Sequence, residues 1–226
     1  MTITPPTSTS DDLPLTERTT VHRYAELQTT SRSDLYRVLD EGLVAHVGFQ
    51  AKNGPVVIPM AYARGGDYLY LHGSTGSGLG MSGGAGTDLA VTVTILDGLV
   101  YASNLYESTM NYRCAMAFGT SEPVSEEERY EALKLISGRL MPGRWDEVRE
   151  PLAKELAATK LLKLPLTEAS CKICAGPPDT DAEPGLWTGE VPVVTRAGQP
   201  VTQDGADPAL PPSVTGAVNA LGGMAR

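Results

Sequence analysis

The sequence predicts a mainly β domain with flanking helices, built as a small antiparallel barrel. Three observations predict it. Short stretches of alternating apolar and polar residues follow one another, beginning with LVAHVGFQ, VVIPMAYA and DYLYLHG. Turn residues separate them at Asn53-Gly54, Gly65-Gly66-Asp67 and Asp97-Gly98. No long helical pattern intervenes between them, which argues against parallel βαβ units.

The chain has 226 residues, 41% hydrophobic and 20% charged, an ordinary globular composition with room for one sizeable core. A net charge of −9 speaks against a nucleic-acid or anionic-membrane surface. The first twenty residues, rich in Thr, Ser, Pro and Asp, are expected to be a disordered tail, with neither the basic start nor the apolar centre of a secretory signal. Three cysteines without a disulfide framework suit a reducing compartment, and the protein is expected to be cytoplasmic.

Taken in order, Ser33 is placed as the N-cap of a short helix that sets Leu35, Val38 and Leu39 on one face and stops at Gly42. LVAHVGFQ then puts Leu43, Ala45, Val47 and Phe49 on one side and His46 and Gly48 on the other. Asn53-Gly54 reads as a type I′ turn pairing this strand with VVIPMAYA. Residues 73–86, crowded with glycine, lead to LAVTVTIL and LVYAS, joined by a hairpin at Asp97-Gly98. YRCAMAFGTSEPV closes the set of six strands.

Ser125 and Glu128 form a capping box, and the helix it opens is expected to bury Leu133, Ile136 and Leu140 before Pro142-Gly143 ends it. Pro151 is placed in the first turn of a further helix, LAKELAAT. KLLKLPLTEAS and CKICAG read as a final pair of strands, and residues 196–226 as a flexible tail.

The candidate chemistry lies between Val56 and Gly119. His72 ends an alternating strand directly before the glycine-rich loop. A histidine there is either a hydrogen-bonded structural residue or a group for anion binding, proton transfer or metal-cofactor ligation. The loop can turn backbone N–H groups and the hydroxyls of Ser74, Thr75 and Ser77 toward a phosphate, or merely connect two strands. Cys171-Lys172-Ile173-Cys174 lacks a second ligand pair, and on a strand its cysteines face opposite ways, so it reads as coincidence. Cys114 reads as an inert buried thiol. Trp187, isolated in a polar stretch, is placed as a docking aromatic.

The order LVAHVGF, PVVIPMAYAR, DYLYLHGS, VTVTILDGLVYA, MNYRCAMAFG, PGRW and LWTGEVPV resembles the pyridoxamine 5′-phosphate oxidase-like flavin-nucleotide-binding proteins. The resemblance covers residues 21–195. It implies a six-stranded split barrel, a homodimer, and FMN at the dimer interface serving an oxidoreductase reaction on a small organic substrate. Ile58, Pro59, Met60 and Ala61 would line the flavin ring edge, and His72, Gly73, Ser74 and Thr75 would lie toward its phosphate. Asn111, Tyr112 and Arg113 would reach the flavin of the same or the opposite protomer, with Trp187 covering it.

His72 or Tyr112 would be the acid or anchor on the substrate side. Relatives carry a basic residue soon after the His-Gly-Ser segment. Here residues 77–81 hold none, which leaves Arg113 or Lys172 as its substitute. The same departure raises an alternative, haem in place of flavin with His72 as the iron ligand. A third reading, from a different class, is a non-catalytic flavin- or ligand-binding protein.

Overall fold

In a computed structural model the described residues are 10–74 and 86–222. They carry the expected barrel, with bends that cut its strands into segments: β1 Gln28–Thr29, β2 Ala45–Ala51, β3 Gly54–Met60, β4 Tyr62–Gly65, β5 Tyr68–Ser74, β6 Asp88–Tyr101, β7 Thr109–Thr120, β8 Glu122–Pro123, β9 Thr159–Pro165, β10 Glu168–Cys174 and β11 Gly189–Pro192. Among the described residues four α-helices flank them: α1 Arg32–Glu41, α2 Glu126–Leu140, α3 Ala153–Ala158 and α4 Pro212–Ala220. No described helix is long and apolar enough to cross a membrane.

One sheet runs β1-β10-β7-β6-β2-β3, with β11 also on β6, and the other β4-β5-β9-β8. Besides the connection from β5 to β6, the chain passes between them at three bends within the described residues, at Ala61, at Ser121 and at Leu166-Thr167. These three bends make the barrel split. At each, a strand that has finished pairing in one sheet resumes in the other. KLLKLPLTEAS and CKICAG are therefore not partners: the break falls after Pro165, β9 pairs with β5, and β10 pairs with β7.

Alternation places Ala45, Val47 and Phe49 inward on β2, where they meet Leu69, Leu71, Leu89, Val91 and Val93. α1 seals this core with Leu35, Val38 and Leu39, each at most 2% exposed. A second, smaller cluster lies under α2, where Ala132 and Ile136 cover Ala63, Tyr70 and Leu161. Each of the larger buried side chains contributes on the order of 1.5–3 kcal/mol.

Several local expectations are corrected. The N-cap of α1 is Ser31, whose hydroxyl accepts from the Asp34 N–H, while Ser33 lies inside the helix and bonds to Ser31. The first hairpin turns at Lys52-Asn53. Gly54, with φ +123°, already pairs with Ala51, and Asn53 does not take the positive φ a type I′ turn needs. Asp97-Gly98 is no turn: β6 runs straight through it with a bulge between Leu96 and Gly98. The α2 capping box is present, but Leu140 is 39% exposed and Ala132 takes its place in the buried stripe. α3 starts at Ala153 with Leu152 as its cap, so Pro151 lies just outside it.

Within the two segments expected to be tails, Leu13 is buried in the main core and Asp12 bridges to Ser31. Helix α4 packs its Ser213 onto Glu147, which accepts from both the Ser213 N–H and its hydroxyl.

Candidate functional site

The site residues fall into two groups. The first lies where β3 ends and β5 ends. Ile58 packs against the core, Pro59 is exposed opposite His46, and Met60 is buried. The strand thus turns one face in, and among the described residues its outer edge is unpaired. An edge tolerates Pro55 and Pro59, which donate no ladder hydrogen bond. Ala61 is the bend itself.

The imidazole of His72, half-buried on β5 opposite Leu161, bonds to the Ala61 backbone. Its Nδ1 is buried with no partner among the described residues. Burial pushes the imidazole below the ordinary histidine value, and the Ala61 bond works the other way. A neutral imidazole with one nitrogen unspoken for can accept a proton, donate one, or ligate a metal centre. Gly73 and Ser74 finish the strand opposite Lys160 and Thr159. Thr75 and the rest of the loop to residue 85 lie outside the described residues, and so does the expected phosphate cradle. Gly78-Leu79-Gly80-Met81-Ser82-Gly83, in the same stretch, spells a Gly-x-Gly-x-x-Gly string. Such a string counts as a dinucleotide fingerprint only between a strand and a helix.

The second group lies on β7. Asn111, 4% exposed, donates from Nδ2 to the Gly176 carbonyl at 2.9 Å. Tyr112 pairs across to Cys174 and Leu96, and burial first, then the neighbouring thiols, holds its hydroxyl above the usual range. Arg113 is not a loose cation. Its Nε and Nη2 donate to the two Asp97 oxygens at 2.9 and 2.8 Å, and its Nη1 donates to Glu41. Asp97, the main partner, and Glu41 raise its pKa further. The bulge at Asp97 is what turns that carboxylate to meet it, a role the sequence reading missed because it took Asp97 for a turn.

Lys172 is likewise engaged, donating to the Arg23 carbonyl at 3.0 Å beside the Tyr24 ring. Trp187 stays 62% exposed and packs edge-on against Tyr101, with ring centroids 5.5 Å apart. Cys171 is buried, and that burial pushes its thiol up to about 12. Burial also raises Cys114, against the opposing influence of a Thr94 hydrogen bond. Among the described residues no group of three or more His, Cys, Asp or Glu is placed to hold a metal ion.

Among the described residues no strand pairing or hydrogen bond joins the two groups within one chain. Ile58, Val47, Val91 and Ala117 share a row across four strands, and Tyr112 lies five residues further along β7. At about 4.8 Å between strands and about 3.3 Å per residue, the path along the sheet from Ile58 to Tyr112 is roughly 20 Å. Lys160 is the basic residue that the sequence reading missed. Only the β5–β9 register reveals that it stands opposite Gly73.

No curated protein sequence matches the chain. Among solved structures, the FAD and heme binding protein from Mycobacterium smegmatis is similar at 39% identity, covering 85% of this chain and 97% of that one, with a TM-score of 0.80. The flavocytochrome Anf3 from Azotobacter vinelandii is similar at 33% identity, covering 89% and 96%, also at 0.80. A putative 5-nitroimidazole antibiotic resistance protein from Bacteroides thetaiotaomicron shares the fold at 19% identity, covering 65% and 86%, with a TM-score of 0.51. The family profile described as Pyridoxamine 5′-phosphate oxidase matches residues 31–173. With the barrel, its three bends and this match in hand, the chain belongs to the pyridoxamine 5′-phosphate oxidase family.

Proposed function

We propose that the chain is a flavin-dependent oxidoreductase acting on a small organic substrate, with FMN or FAD held at the interface of a homodimer. The observation that carries this reading is the meeting of His72 with the bend at Ala61, an unsatisfied buried nitrogen beside an unpaired strand edge. The two relatives at 39% and 33% identity, whose names state FAD and heme binding and a flavocytochrome, support a flavin without choosing FMN.

A flavin bound there would supply hydride or electron exchange. The chain's own part is binding and orientation. Residues Ile58 to Ala61 offer the ring a strand edge, and Gly73, Ser74 and Thr75 are assigned to the phosphate. Lys160 fits the phosphate cation by position, because it stands opposite Gly73, whereas Arg113 and Lys172 belong to β7 and β10 of the other sheet. His72 then serves as the proton-holding group or anchor for substrate, with Tyr112 of the second protomer facing it. The path of roughly 20 Å along the sheet from Ile58 to Tyr112 favours a site completed by a second copy.

The test is an absorption spectrum of the purified chain after gel filtration with FMN, FAD and hemin added separately. A retained flavin band, weakened in Lys160→Ala, is the expected result. Failure to retain either flavin would sink the reading.

A second reading, haem alone or alongside flavin, is favoured by the neutral His72 imidazole and by the haem named for the M. smegmatis relative. It requires a Soret band that His72→Ala abolishes.

A further inference from the structure

The outer face of β2 carries one side chain that the proposed site does not use. His46 is exposed there, with Pro59 of β3 and Thr92 of β6 as its Cα partners on either side. Gly48, between Val57 and Ala90, makes the next row on the same face. Cross-strand partners such as these hold their Cβ atoms about 4.5–5.5 Å apart. Among the described residues His46 has no hydrogen-bond or ion-pair partner.

The two rows are unlike an ordinary solvated face. An antiparallel sheet with one side in water usually turns polar residues toward it. Here none of the six residues is acidic, lysine or arginine, and Val57 stands 66% exposed beside the exposed Pro59 and Ala90. Nor does the fold demand glycine at position 48. Its φ is not positive, and a Cβ there would meet Ala90 and Val57 at ordinary distances, the nearest 3.4 Å. The result is a low, largely apolar surface whose one titratable group is His46.

The proposed function gives the flavin ring the stretch from Ile58 to Ala61. Of those side chains Ile58 packs against the core, Met60 is buried and Ala61 makes the bend, so Pro59 is the one that stands exposed. Neighbouring strands are about 4.8 Å apart, less than the width of a tricyclic ring, so a ring lying on Pro59 and over the sheet reaches β2. An exposed imidazole offers it a donor and an acceptor for ring nitrogens and carbonyls. His72 belongs to β5 in the other sheet and its unpartnered Nδ1 is buried, so on this face the contact falls to His46.

We infer that His46 is a cofactor-contacting residue: the flavin of the proposed function, on which this inference rests, lies over the outer face of β3 and β2 with its ring against this imidazole. Pro59, Val57 and Gly48 give the ring a flat apolar bed, and His46 fixes its orientation by a hydrogen bond.

The test is proton NMR of the full chain with FMN and FAD added separately, and with ribose 5-phosphate as a control that lacks the ring. The three histidines, His22, His46 and His72, give few enough imidazole signals to assign with His22→Gln, His46→Gln and His72→Gln. The expected result is a nuclear Overhauser effect between the His46 imidazole and the flavin ring methyls, with a saturable shift that ribose 5-phosphate does not produce. His46→Ala, at an exposed position, should leave the thermal midpoint unchanged and weaken flavin retention roughly fivefold, the loss of one hydrogen bond. A flavin retained without contact to His46, as when the ring hangs off the β3 edge or a second copy covers this face, overturns the inference and leaves the reading standing. So does unchanged retention in His46→Ala. If neither flavin is retained, the reading and the inference fall together.

Discussion

The ends of β5 and β7 carry similar polar residues but treat them in opposite ways. On β7, Asn111 donates to Gly176 and Arg113 to Asp97 and Glu41. On β5, His72 is half-buried yet keeps a buried nitrogen without a partner among the described residues. Buried polar groups without a partner are uncommon, and each calls for an explanation such as strain, a catalytic or binding role, or a bound water or ion. The comparison separates polar residues that find partners within the barrel from one that does not, although both sit at strand ends.

Three experiments probe that contrast. Leu71, fully buried and next to His72, belongs to the shared core, so Leu71→Ala should cost about 2–5 kcal/mol, read as a lower denaturant midpoint. A much smaller loss would mean that the β5 end is not held by the core, and the contrast with β7 would lose its basis. Arg113→Ala strips two carboxylates of their partner. Because both are partly exposed, the loss should be about 1–3 kcal/mol, with flavin retention reduced no further than stability explains. A selective loss of flavin at unchanged stability would move Arg113 to the ligand side of the comparison.

His72→Ala should change stability least, within about 1 kcal/mol at neutral pH, because it removes an unsatisfied group. Its effect appears in the pH dependence. The folded protein holds the His72 pKa below the unfolded value of about 6.5, so the unfolded state takes up the proton first. Stability is therefore full above about 6.5 and falls as pH drops from there toward the folded value, and His72→Ala should remove that part of the slope. An unchanged slope below a pH of about 6.5 would show that another group carries it.

Much of the barrel was legible because its signals are local. Alternation in LVAHVGFQ placed Ala45, Val47 and Phe49 inward, and the Ser125–Glu128 spacing located α2. The misreadings arose where one local signal serves two geometries. Asp97-Gly98 suits a hairpin and a bulge equally well, and only the pairing of β6 along β7 selects the bulge. KLLKLPLTEAS looked like one strand because Pro165, a residue that can end a strand, also sits at a bend between sheets. At the site, His72 was visible from its position before the loop. Lys160 and the commitments of Arg113 were not, since they depend on contacts between residues far apart in the chain.

The bulge in β6 also sets the chain's parity. Before it, Leu89, Val91 and Val93 are buried at odd positions; after it, Gly98 and Val100 are buried at even ones, while Leu99 and Tyr101 face out. The extra residue at Asp97 acts as a half-period phase shift in a two-beat pattern. Were the ladder forced through without the bulge, Leu99 and Tyr101 would swing toward the interior and Val100 toward solvent. Deleting Asp97 has the opposite consequence. The two halves of β6 would join as one regular strand with Val100 still inward, and the loss would fall on Arg113, deprived of its main carboxylate. A relative one residue shorter at this point could therefore keep the same inner and outer faces, but it would need another anion wherever it keeps this arginine.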